Sequence, residues 1–309
     1  MIEAAGRLSH AGRTMSSLRQ PLSAMFISRK RDESRSPERL WAHYLVERRL
    51  ADRVRNAATW EERRALFATM YDDLFHEVPD HPRLAAHRAD SESRERHIRW
   101  NLAQLRPYLR PGGTFLEIGA GDCALASRVA REARHVYAVD ISDQTQGELP
   151  GNVTLVISDG RGVEVPPASI DLAFSDQLME HLHPDDAIAQ LRNIHRALKP
   201  GGVYMCVTPN RVYGPSDISA FFDDEPHGFH LKEYTLKEIR EIFAAAGFPR
   251  SHVYIGARGW FMRCPAPLVS AVESMFTRLP AAWRRRLSDT KLARALLGLR
   301  VAAIKGSAS

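Results

Sequence analysis

The sequence predicts an α/β protein with a mostly parallel sheet behind a helical leading region. Three observations carry this. From residue 114 onward, short β-branched apolar runs alternate with stretches of helical spacing. Between Pro37 and about Tyr108 the apolar residues recur only at three- and four-residue intervals. The composition, 44% apolar and 26% charged over 309 residues, is that of a globular chain holding one large domain or a core with an appended piece.

In chain order, the first 31 residues hold six basic groups and one acid, Glu3, a composition that resembles an organellar transit peptide. The chain is Arg-rich throughout and Met15 or Met25 could be the start, so residues 1–30 read as a disordered basic extension. WAHYLVERRLADRV and WEERRALFATMYDDLF are helices, HEVPDHPRL breaks the pattern with two prolines, and SESRERHIRWNLAQLRPYL resumes it up to Pro111-Gly112-Gly113. Residues 31–108 therefore form a helical cap and 109–309 the core.

TFLEIG (114–119), HVYAVDI (135–141), NVTLVIS (152–158), IDLAFS (170–175) and GVYMCVT (202–208) read as strands, with helices over 122–133, 184–198 and 235–246. Pro184 with Asp185 and Asp186 starts a helix well, and Thr235 with Glu238 forms a capping box closed by Gly247. HVYIGARG (252–259) and LRVAAIKG (299–306) are strand-like and bracket a helical insertion at about 266–297. No apolar run approaches the ~20 residues of a membrane span.

Charge is unevenly spread: residues 1–100 carry 19 basic and 15 acidic groups, 101–250 carry 14 and 20, and 251–309 carry 10 and 2. An acidic core argues against a nucleic-acid substrate. The basic tail is a solvated helix face or a contact for an anionic membrane surface. Cys123, Cys206 and Cys264 lie far apart without CxxC spacing, which fits neither disulfides nor a thiolate metal site and suits a cytoplasmic location.

The first strand of the core runs into LEIGAGDCA, 116–124. Gly119 and Gly121 allow a tight turn and close approach of a ligand to the next helix's amides. Asp140 ends the second strand and can accept both hydroxyls of a ribose. Glu117 beside the glycines would repel a pyrophosphate but suits a cationic ligand. Ribose, adenine and a positive end together describe S-adenosylmethionine.

Glu117-Ile-Gly119-Ala-Gly121-Asp-Cys123, Asp140, Ser158-Asp159-Gly160, Asp171-Leu-Ala-Phe-Ser175 and Leu198-Lys-Pro-Gly-Gly202 resemble, in order, the motifs of class I S-adenosylmethionine-dependent methyltransferases over about 110–250. The resemblance implies a Rossmann-like seven-stranded sheet, six strands parallel and the last antiparallel, supplied by LRVAAIKG. It implies a cofactor site of Glu117, Gly119, Ala120, Gly121, Asp140, Ile141, Asp159, Gly160, Asp176 and Gln177, S-adenosylhomocysteine as product, and the helical region as a lid. Cys123 departs from the family, which often has a third glycine there.

SDQLMEHLHPDD, 175–186, follows the fourth strand, where the family places the transferable methyl group. His181 is the first candidate base, since a histidine pKa near ~6.5 suits proton removal at neutral pH. His230, in EPHGFHLKEYT, could meet it across the acceptor, with Glu180 beside them and His227 a weaker choice. The same groups could instead order the loop and cofactor. They also resemble metal-assisted 2′-O-methyltransferases acting on small RNA, though Gln177 replaces that family's first carboxylate; Glu180, His181 and His230 would be the ligands, whereas a metal-free site is the main expectation. Arg211 could position a carboxylate; Tyr213, Phe222 and His227 would line an enclosed acceptor pocket suited to a small molecule, with Phe221 and Phe229 facing the same space and cap aromatics such as Tyr71 as further apolar walls. The expectation is methylation of a hydroxyl or carboxylate oxygen on a small metabolite, such as one of secondary metabolism. Metal-assisted RNA methylation and a nonenzymatic cofactor-binding partner protein are the alternatives.

Overall fold

The computed structural model describes residues 35–82, 84, 91–145, 147–257, 259–288 and 290–307; the extension expected at 1–30 lies outside them. Helix α1 spans Pro37–Asn56, with proline in its first turn and the Ser36 hydroxyl accepting from the Arg39 amide. Helix α2, Trp60–Glu77, opens on a Thr59–Glu62 capping box, and α3 spans Ser91–Leu105.

Five strands then form a parallel sheet: β1 Thr114–Ile118, β2 His135–Asp140, β3 Val153–Ile157, β4 Ile170–Asp176 and β5 Leu198–Thr208. Between them come α4, Ala124–Val129, and α5, Pro184–Ala197, which begins at proline as its sequence predicts. After β5 the chain forms α6, Leu236–Ala245, with its Thr235–Glu238 capping box, then β6 Arg250–Ala257 and β7 Trp260–Cys264. Helices α7 Ala266–Thr277, α8 Ala281–Ser288 and α9 Lys291–Leu297 occupy the expected insertion, and β8, Leu299–Ile304, closes the core.

The strand order is β3-β2-β1-β4-β5-β8-β6-β7. As expected, β8 runs antiparallel, wedged between β5 and β6. The sheet has eight strands rather than seven. The added one is β7, a hairpin return of β6 turning at Gly259, whose φ of +82° favours glycine. Its half-exposed WFMRC lacks the apolar run that marks the buried strands. Strand β5 also begins earlier than the glycine pair suggests, because a register shift against Ile170/Leu172 absorbs Pro200-Gly201-Gly202.

All five residues of β1 are buried because both sheet faces are covered. One face packs Leu116, Ile118 and Tyr204 against α5, α6 and α7; the other packs Phe115, Phe174 and Met205 against α3 and α4. The chain leaves β1 toward β2 and β3, then crosses to β4 on the other side. That reversal opens a crevice beyond the carboxyl ends of β1 and β4. The α1–α2 pair closes over this end through its own core, Leu50, Val54, Met70 and Leu74 with Phe229. A buried bidentate pair, Arg63 to Asp186 at 2.6 and 2.8 Å, fastens α2 to the start of α5.

Candidate active site

The glycine loop sits at the crevice. Gly119 and Gly121 have φ of +75° and +53°, and Cys123 also adopts the left-handed conformation at the cap of α4. The Asp140 carboxylate draws the loop against β2, accepting from the Gly121 amide at 2.8 Å with one oxygen and from Ile141 and Ser142 with the other. A carboxylate has about four lone-pair sites, so Asp140 can still accept from a ligand. Glu117 lies buried beneath the loop, and its Oε2 has no hydrogen-bond partner among the described residues. Burial, with Asp176, Asp122 and Asp140 nearby, pushes its pKa well above the usual carboxylate range.

Neighbouring elements wall this loop. From α3, Arg94 pairs with Asp122, and His97 and Asn101 donate to Asp176 at 3.0 and 2.9 Å. That contact raises the His97 pKa against the opposing effect of burial. Gly160, φ +90°, faces Ile141 and Trp60: an added Cβ would stand 3.7 and 3.9 Å from their side chains. Asp159 shapes its own turn by accepting from the Arg161 and Gly162 amides. Gln177 is exposed at φ +52°, and Leu178 packs over Gly119.

Four residues further on, a cavity of ≈ 220 Å³ opens between the core and α1–α2. His181 and His230 line it from the core side, their rings edge-to-face with centroids 4.9 Å apart. The nitrogen Nδ1 of each ring is engaged, His181 with the Phe229 carbonyl at 3.0 Å and His230 with Glu233 Oε1 at 2.6 Å. Carbonyl and carboxylate only accept, so both Nδ1 atoms donate and Nε2 carries the lone pair. Burial disfavours a charged His230, but Glu233, with Glu180 and Asp217 beyond it, more than compensates and raises its pKa. Glu180 is fully buried; its Oε2 accepts from the Thr208 hydroxyl at 2.8 Å and its Oε1 has no described partner. Burial pushes its pKa up to about 7, although nearby His230 works in the opposite direction.

The opposite wall comes from the cap, whose polar residues sequence reasoning missed. His43 Nε2 contacts Glu47 Oε1 at 2.8 Å, and His81 approaches the same oxygen at 3.7 Å. Arg35 donates to His43 Nδ1, so Nε2 of that ring carries the proton. His43, Glu47 and His81 are close enough to suggest a cation site, but a ring donating to Glu47 offers no lone pair there; they form a hydrogen-bonded network. The signal was available, since His43 and Glu47 fall four apart on the buried stripe of α1.

The structure thus brings Glu180, His181 and His230 together, and ties Asp140 and Ile141 to the glycine loop, with Gly160 against Ile141. The four predicted substrate residues do not line the cavity. Arg211 pairs with Glu238 at the start of α6, and Tyr213 donates to the Ala293 carbonyl on α9. Phe222 packs against Trp41 and Tyr44. His227 faces Asp223. Tyr71, Phe221 and Phe229, also expected to face this space, do supply apolar walls.

A doubly wound sheet with this acid-flanked glycine loop defines a class I methyltransferase fold. Residues 85–249 match the family model of the methyltransferase domain, and the chain belongs to that family. A Mycolicibacterium smegmatis protein described as a "Probable S-adenosylmethionine-dependent methyltransferase" is 32% identical over 140 residues, 44% of this chain and 52% of that one. Phosphoethanolamine N-methyltransferase 1 of Triticum aestivum is 32% identical over 100 residues, 29% of this chain and 20% of that one. The chain therefore spans about half, or less, of the length of these curated relatives. Among solved structures, phosphoethanolamine N-methyltransferase 2 of Haemonchus contortus, bound to phosphomonomethylethanolamine and S-adenosylhomocysteine, is 22% identical over 67% of this chain and 52% of that one, with a TM-score of 0.46.

Proposed function

We propose that the protein transfers the methyl group of S-adenosylmethionine to a hydroxyl oxygen of a small polar metabolite, with His230 as the base. The observation that carries this is the 2.6 Å Glu233–His230 hydrogen bond, which leaves His230 Nε2 as the nitrogen available in the cavity. The residues present fit the cofactor. Glu117 offers an unpartnered buried carboxylate oxygen to a cationic group, and Asp140 has lone pairs left for ribose hydroxyls. Ile141 and Trp60 flank Gly160, apolar surface on which a flat base could rest. When bound, S-adenosylmethionine supplies a methyl group activated on a sulfonium.

The chain's own residues do the rest. His230 Nε2 takes the acceptor's proton, and Glu233 stabilises the resulting imidazolium and keeps the ring from turning. Such a positioned base is typically worth ~10²–10⁴-fold. His181 shares the wall and orients the acceptor, and the α1–α2 cap excludes water. A carboxylate acceptor would need no base; an amine acceptor, as the names of the Triticum and Haemonchus proteins indicate for them, would use the same one.

A second reading has its own support. One ligand atom each from Glu180, His181 and His230 lies within 4.8 Å of the others, and both Nδ1 atoms are held by the kind of outer partner that ligating histidines have. Two nitrogens and one carboxylate favour a transition metal over Mg²⁺. The test is incubation of the full chain with methyl-labelled S-adenosylmethionine and separate pools of alcohols, phenols, carboxylic acids, amines and small RNA, with and without chelator. Chelator-resistant label on an alcohol or phenol, lost in His230→Ala, supports the base. Label confined to amines refutes the oxygen assignment; chelator-sensitive label, or label on RNA, moves the function to the metal-assisted reading. Tight cofactor binding with no transfer to any pool would favour a binding protein.

A further inference from the structure

The C-terminal elements carry a surface that the site does not use. On the edge strand β7, Trp260 and Met262 share one face and are 63% and 46% exposed. Helix α7 turns Val269 and Glu273 inward, four residues apart, whereas Leu268 and Met275, seven apart, form a second stripe facing out. Helix α8 exposes Trp283 and Leu287, and α9 exposes Leu292. Elsewhere among the described residues only Leu45, Ile141 and Ile157 are large, apolar and exposed. Single exposed leucines are normal, but two tryptophans and five aliphatic or thioether side chains along residues 260–292 are not.

The same stretch is cationic. Arg278 and Arg286 stand exposed among these apolar side chains. Of the two acids in residues 251–309, Glu273 is buried against Asn210 and the Leu236 amide, and Asp289 lies outside the described residues. The remainder of the core, 101–250, is net acidic, so the molecule is electrically lopsided.

We propose that this C-terminal surface docks the protein peripherally on an anionic lipid bilayer. Interleaved tryptophan, leucine and arginine suit the headgroup–acyl boundary, where indoles settle and cations meet anionic lipid. The acidic core would be repelled, which orients the C-terminal face toward the lipid. No described helix is long and apolar enough to cross a membrane, so the contact is peripheral. A symmetric dimer through the same face would press one cationic surface against its own copy, which costs energy rather than gaining it. The inference is independent of which atom is methylated.

Vesicle co-sedimentation of the full chain tests it. The protein should pellet with phosphatidylcholine vesicles containing about 30 mol% phosphatidylglycerol, stay soluble with phosphatidylcholine alone, and be released by about 0.5 M salt. Trp283→Ser combined with Leu287→Ser should lower the partition coefficient at least about tenfold, because two apolar side chains lose their burial. Arg278→Glu with Arg286→Glu should do the same, while Leu45→Ser, on α1, should have no effect. Binding to neither vesicle, equal binding to both, or binding unmoved by all four substitutions would overturn the proposal. Light scattering that shows the Trp283/Leu287 pair holding a dimer, with vesicle binding unchanged, would assign the surface to a second copy.

Discussion

Arg55 is the residue on which the placement of the histidine loop depends. From the last turn of α1 its guanidinium donates to four backbone carbonyls of one segment: Pro226 at 3.4 Å, His227 at 3.0 Å, Gly228 at 2.8 Å and His230 at 3.1 Å. The amides of the same segment are held as well, Gly228 by Asp217 and Phe229 by Glu47, itself on α1. A hydrogen bond from a charged donor contributes about 1.5–3 kcal/mol, but the Pro226 bond is long and the four are not additive. The side chain is also 23% exposed, so water can replace part of what is lost. About 3 kcal/mol of local order for Arg55→Ala is a reasonable net figure, which corresponds to about 10²-fold in the opening equilibrium. Lysine concentrates its donors at one point and cannot span four carbonyls, so Arg55→Lys should recover less than half. Amide hydrogen exchange reads this directly: Gly228 and Phe229 should exchange about 10²-fold faster in Arg55→Ala, while the β1 and β4 amides and cofactor affinity stay unchanged. Exchange at 227–230 within about threefold of the parent, or a uniform rise across the sheet, would refute the clamp.

Other perturbations should separate local from global roles. Asp186→Ala leaves the buried Arg63 guanidinium uncompensated and should cost about 3–5 kcal/mol in urea unfolding. Gly228→Ala would place a Cβ 2.5 Å from Glu47 Oε2 and 2.6 Å from Asp217 Oδ2, two atoms tied by the hydrogen bonds above, and should cost about 1–3 kcal/mol in the same assay. Glu180 has a folded pKa of about 7, above its unfolded value, so its stabilising contribution is complete below about pH 4.5 and is lost as pH rises through about 7. In metal-free buffer Glu180→Gln should therefore match the parent's unfolding free energy near pH 4.5 and exceed it by up to about 3 kcal/mol at pH 8; an unchanged difference between those pH values contradicts this.

What could be read in the sequence was local in origin. The Pro184 helix start, the Thr235–Glu238 box and the left-handed glycines depend on neighbours within a few residues, and all appear as expected. Glu233 stood three residues beyond His230 in a segment already suspect, yet a pairing of loop residues has no period to announce it. His43 and Glu47 carried a fainter signal, polar groups on an apolar stripe, which usually means a satisfied core rather than a site. His81 was illegible because only tertiary packing brings it beside residues far back on α1. Arg211 and Tyr213 were misplaced for the same reason: the partner of Tyr213, the Ala293 carbonyl, lies eighty residues on.

The acids gathered at the glycine loop give the most direct check on the cofactor assignment. Asp122, Asp140 and Asp176 surround the loop over the buried Glu117, whose pKa is raised first by burial and then by these acids. In the free protein Glu117 therefore holds its proton at pH values where an ordinary glutamate has lost it. A cationic ligand favours the ionised form, so binding should expel a proton. Below the free-state pKa the affinity should rise by up to about tenfold per pH unit, flattening above it. Calorimetry with S-adenosylmethionine in buffers of different ionisation enthalpy measures that proton count. Glu117→Gln cannot release one, so its affinity should be weaker and lose the slope, while Glu180→Gln, outside the loop, should retain it. An equal slope in parent and Glu117→Gln would show that another group titrates, and that Glu117 does not meet the positive end of the cofactor.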